Sequence, residues 1–92
     1  MNAKRSNPYP ETLDEAAKLL IDLLSEGQKQ SLKNAKEEDL NEYHFGLGMV
    51  IRNNFGLWNK NKTLMESCGH EFIHPDTASS MIIKKAWEEL NV

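Results

Sequence analysis

The sequence predicts an all-α fold, a small single-domain bundle of about four to five helices. Three observations carry that expectation. Apolar residues recur at helical spacing along most of the 92-residue chain. Residues suited to helix starts stand before these runs at Thr12, Ser25, Asn61 and Pro75. No Val/Ile-rich alternating run reads as a strand.

Met1 to Pro10 is polar and holds two of the three prolines, so residues 1–10 read as an extended arm and 11–92 as one helical domain. Thr12-Leu13-Asp14-Glu15 has the form of a capping box, the hydroxyl accepting from a free helical N–H while the glutamate reaches back. Leu13, Ala16, Ala17, Leu20, Leu23 and Leu24 then mark the apolar face of a first helix ending near Glu26. Ser25 to Gln28 caps a short second helix running to between Leu32 and Asn34. A central helix is expected from near Glu37, where the acids of Lys36-Glu37-Glu38-Asp39 suit a helix dipole, to Asn53 or Asn54. Its apolar face is Leu40, Tyr43, Leu47, Val50 and Ile51. Asn61 caps a short helix that carries Leu64, Met65 and Cys68 and stops at Gly69. After a loop from His70 to His74, Pro75 opens the last helix, with Ala78, Met81, Ile82, Ala86, Trp87 and Leu90 inward.

A chain this short buries only about 60 to 65% of the surface its unfolded form exposes, so its few large side chains serve stability first. The net charge of −3 gives no general attraction for nucleic acid or anionic lipid. Lys60, Lys62, Lys84 and Lys85 lack the interleaved aromatics of a nucleic-acid surface. One cysteine, Cys68, makes no internal disulfide and suits a reducing compartment. No apolar stretch has the length of a signal peptide or membrane span, so a cytoplasmic protein is expected.

The segment from His44 to Trp58 stands out, because Gly46 and Gly48 inside a helix each cost roughly 1 kcal/mol relative to Ala. Close helix packing is the simplest compensation. His44, Gly48 and Arg52 fall four residues apart on one stripe, which suits either of two arrangements. In one, the gap at Gly48 receives a phosphate, a carboxylate or a partner's acidic side chain, held by Arg52 and His44. In the other, Arg52 pairs with an acid of the domain itself, such as Glu38 or Glu88. Asn53, Asn54 and Trp58 stand at the helix exit, Trp58 as core or as interface anchor. The binding set read from the sequence is therefore His44, Gly48, Arg52, Asn53, Asn54 and Trp58.

Other chemistry is weaker. The pair of Phe-Gly-Leu triplets at Phe45 and Phe55 is too short to indicate a repeat, and Gly46-x-Gly48 lacks the strand and third glycine of a nucleotide fingerprint. Cys68, His70 and His74, with His44 or Asp76, have the residue types of a zinc site but not its paired clusters. Cys68 with a histidine as base needs a lowered thiol pKa. His74-Pro75-Asp76 matches the tripeptide by which J-domains engage their chaperone, but the basic helix that precedes it there is missing. No cofactor, metal or catalytic residue is assigned.

Tyr9-Pro10-x-Thr12-Leu13, His44 to Met49 with Ile51 to Trp58, and Cys68-Gly69 followed by His74-Pro75-Asp76 together resemble a family of small bacterial proteins designated only as a domain of unknown function. The resemblance covers nearly the whole chain and implies its boundaries, but no activity. The expectation is a non-enzymatic protein-interaction module with a protein partner, of immunity-like or inhibitor type, since a small acidic protein can mask a basic surface. The alternative is a small-molecule or phosphate-binding sensor on the His44 and Arg52 stripe.

Overall fold

The computed structural model describes residues 9–43, 46–57, 61–69 and 73–92. These form five α-helices and one 3₁₀ helix in the order α1 (Leu13–Leu23), α2 (Glu26–Asn34), the 3₁₀ helix (Glu37–Tyr43), α3 (Leu47–Asn54), α4 (Lys62–Cys68) and α5 (Pro75–Leu90), with no strand among the described residues. The all-α class is as expected, with six helical elements where four to five were anticipated.

The helix starts follow their capping chemistry. The Glu15 N–H donates to Thr12 Oγ1 at 3.1 Å, while the Glu15 carboxylate accepts from the N–H of Glu11, one residue before the cap. Ser25 and Gln28 form the full reciprocal box. Because Ser25 and Leu24 must be extended to set that box, α1 stops at Leu23 rather than near Glu26, and Leu23 is left exposed. Asn61 caps α4, and His74 Nδ1 accepts from the Asp76 N–H at the head of α5, where Pro75 takes the first turn.

The central helix differs from expectation. Residues 37–43 wind as a 3₁₀ helix and α3 begins only at Leu47, with Gly46 as its N-cap. Gly46 therefore lies at a helix end, where its low propensity matters little, and only Gly48 is inside α3. A 3₁₀ helix advances about 3.0 residues per turn against 3.6, so one apolar stripe cannot run through both segments. Leu40, Tyr43 and Leu47 are consequently only half-buried and Val50, expected in the core, is 39% exposed. Ile51 is fully buried, as expected.

α5 is the hub. It packs against α1 most extensively and also against α2, the 3₁₀ helix, α3 and α4. Ala78, Ser79, Ile82, Ile83 and Ala86 are its buried residues, and Ala16, Ala17 and Leu20 those of α1. The small side chains let the two axes approach closely, and Leu24, Leu32, Ile51, Phe55, Leu57, Leu64 and Cys68 complete the core. Polar ties fix the edges: Trp87 Nε1 donates to the Ala35 carbonyl at 2.9 Å, and Asn91 Nδ2 donates to Lys33 O and Trp87 O. Lys84 pairs with Glu37 at 2.9 Å and Lys85 with Asp14 at 3.4 Å. The hydrogen bond to Glu37 raises the Lys84 pKa, but the pair is exposed and adds little.

The buried Asn61 side chain joins three segments. Its Nδ2 donates to Pro10 O and Phe55 O, each at 2.8 Å, and its Oδ1 accepts from the Leu64 N–H. Beside it Gly56 takes φ +75°, and a Cβ there would stand 2.8 Å from the Tyr9 ring. Asn61→Ala strands two carbonyls, so urea unfolding is expected to show a loss of about 1–3 kcal/mol. Gly56→Ala meets both a left-handed backbone and the Tyr9 ring, with an expected loss of at least about 1–3 kcal/mol by the same measurement.

Candidate functional site

α3 divides into two faces. Gly48, Ile51 and Arg52 are buried, and Phe55 continues that stripe below the helix. Gly46, Met49, Val50, Asn53 and Asn54 are exposed at the complementary i, i+3, i+4, i+7, i+8 spacing. Met49 and Val50 are 52% and 39% exposed, which makes the outer face of α3 the place where two of the large exposed apolar side chains adjoin.

A groove of about 370 Å³ runs beside this face, lined by Gln28 and Ser31 of α2, Glu42 and Tyr43 of the 3₁₀ helix, and Gly46, Leu47 and Val50. Ser31 Oγ and Tyr43 Oη share a hydrogen bond of 2.9 Å that ties one wall to the other. A Cβ added at Gly46 would meet nothing within 4 Å, and its φ of −81° suits any residue, so neither backbone nor packing of this chain requires glycine there.

The sequence-derived set is split by this geometry. Gly48 and Arg52 face the core, whereas Asn53 and Asn54 face outward, Asn54 Nδ2 donating to the Val50 carbonyl at 2.9 Å. His44 and Trp58 lie outside the described residues, as does His70 of the candidate metal set. Arg52, only 8% exposed, reaches α5: Nη1 stands 3.3 Å from Asp76 Oδ1 and donates to Ser79 Oγ at 3.3 Å. Ser79 in turn donates to the Asp76 carbonyl at 3.0 Å. Arg52 thus pairs with an acid of its own domain, Asp76 rather than Glu38 or Glu88. Helical spacing placed Arg52 on a stripe, but its partner is 24 residues away in sequence and reaches it only through the α3–α5 packing. The exposed Met49 is not legible in the sequence, since an isolated methionine carries no signal until its surroundings are known.

The thiol of Cys68 is buried, and burial pushes its pKa from 9.0 up to about 11. This is the opposite of the activated thiolate that nucleophilic catalysis needs. Among the described residues no group of three or more His, Cys, Asp or Glu is placed to hold a metal ion, and no helix is long and apolar enough to cross a membrane.

Two outcomes test these assignments. Arg52→Ala removes a buried cation together with the packing of its stem, and is expected to cost about 2–4 kcal/mol in urea unfolding. Asp76→Ala leaves the buried guanidinium without that carboxylate and is also expected to destabilise, by about 1–3 kcal/mol in the same measurement. For Cys68 the unfolded thiol ionises before the folded one, so its contribution is complete below pH 9.0 and is lost as pH rises toward about 11. Wild type should therefore lose stability relative to Cys68→Ala across that window, and the native thiol should resist iodoacetamide at neutral pH until urea exposes it.

Neither a curated protein nor a solved structure matches the chain. A family does match, over residues 9–90, from the Tyr9 that packs on Gly56 to the last residue of α5. The chain belongs to the family described as domain of unknown function DUF6794.

Proposed function

We propose that this chain is a non-enzymatic protein-interaction module that presents the outer face of α3 to a protein partner. The observation that carries the reading is the pairing of exposed Met49 and Val50 with an adjoining groove on one side of α3, while the other side is anchored in the core by Ile51 and Arg52. Exposed apolar side chains on a rigidly held helix are the usual form of a docking surface. Asn53 and Asn54 supply a polar rim on the same face. The net charge of −3 favours an inhibitor or immunity-like role against a basic surface. Burial of the Cys68 thiol supports the non-enzymatic side of the reading.

The sensor reading has less support. Gly48 and Arg52 of its stripe are buried, and the Asp76 carboxylate already stands beside the guanidinium. Arg52→Ala is accordingly a poor functional probe, since it disturbs the fold.

Met49→Glu is the informative variant, because it places a charge on an exposed position and leaves the α3 core face untouched. In affinity capture from native cell extract, wild type is expected to retain a protein partner that Met49→Glu loses, with both proteins giving the same circular dichroism. Equal capture by the two would remove this face from the reading. The effect should be at least about tenfold in affinity if Met49 lies at the interface centre.

A further inference from the structure

Resting on that interaction reading, we infer that the groove beside α3 receives an amphipathic segment of the partner, with apolar side chains on Leu47 and Val50 and a lysine or arginine at Glu42. Among the described residues its lining is apolar along α3, hydroxyl-bearing and amide-bearing along α2, and includes one carboxylate and no basic side chain. On α2, the opposite wall, Lys29 pairs with Glu26, and Lys33 lies one turn further on. The 3₁₀ helix carries Glu37, Glu38, Asp39 and Glu42, of which Glu37 is paired with Lys84. The basic residue of α3, Arg52, is buried against Asp76 on the far side. A segment entering here therefore meets Glu42 as the one charged side chain among the described lining residues, which favours a basic residue opposite it and disfavours an acidic one.

Gly46 supplies the second argument. It has an ordinary helical φ, and the space its Cβ would occupy is empty. Glycine is an accepted N-cap of α3 in its own right, and its missing side chain also leaves the groove open next to Leu47 and Val50. The volume admits a few side chains of a helix or short extended segment rather than a folded domain, which is the helix-in-groove mode of peptide recognition.

The test uses the full chain to select from a displayed library of random peptides about a dozen residues long, in parallel with its Gly46→Leu variant. The inference expects peptides that combine apolar residues at helical spacing with Lys or Arg and that prefer wild type. Their affinity should fall at least about tenfold with Gly46→Leu, several-fold with Glu42→Gln, and further with added salt. Circular dichroism and thermal midpoint check that each variant is folded. If Gly46→Leu is not, Gly46→Ser, whose hydroxyl suits an N-cap, should give a smaller loss of affinity without loss of stability. Three results overturn the inference: no peptide class that separates wild type from the Gly46 variants, enriched peptides that are acidic or indifferent to Glu42→Gln, or a wild-type dimer in sedimentation that Gly46→Leu makes monomeric. Should a native partner be lost with Met49→Glu yet retained with Gly46→Leu and Glu42→Gln, the interaction reading stands and the groove assignment falls. Absence of both a native partner and a groove peptide removes the two together.

Discussion

Burial of one stripe of α5 is the constraint on which the rest of this structure depends. A chain of 92 residues has too little interior for two layers of core, so its longest helix is shared by every other element. The stripe succeeds because it mixes small and branched residues. Ala78, Ser79 and Ala86 admit close neighbours, while Ile82 and Ile83 fill the space between them. Ala16 and Ala17 answer from α1. Enlarging any of these alanines would push apart elements that have no alternative surface to pack on.

Arg52 follows from the same constraint. Once α3 lies on α5, the Arg52 side chain is buried, and it needs polar partners to remain there. Asp76 and Ser79, in the first turns of α5, are those partners, and Ser79 is oriented by the Asp76 carbonyl. The cluster fixes the rotation of α3 about its own axis. That rotation turns Gly46, Met49, Val50 and Asn53 outward and opens the groove toward the 3₁₀ helix. A buried guanidinium at one face of a short helix thus accompanies the exposure of the opposite face.

Two glycines of the central segment show how differently the same residue is used. Gly56 is dictated by the fold, through its positive φ and the ring of Tyr9 pressed against it. Gly46 is dictated by neither. Asn61 is the polar counterpart of Gly56: it answers the carbonyls of Pro10 and Phe55 that the turn would otherwise leave stranded in the interior.

The sequence by itself determined the helical class, the capping residues Thr12, Ser25 and Asn61, Pro75 as the first residue of α5, and the extents of α2, α4 and α5, because caps and periodicity are local and act within a turn or two. It also marked the central segment as unusual. Only the tertiary structure decided that this segment breaks into a 3₁₀ helix and α3, that Val50 faces outward, and that Arg52 turns to Asp76 instead of to a ligand notch. The exposed face of α3 was legible only in part, through Asn53 and Asn54. The physical reason is distance along the chain: a short glycine-bearing helix has little preference of its own, so its phase and rotation are set by the α5 surface that it meets from more than twenty residues away.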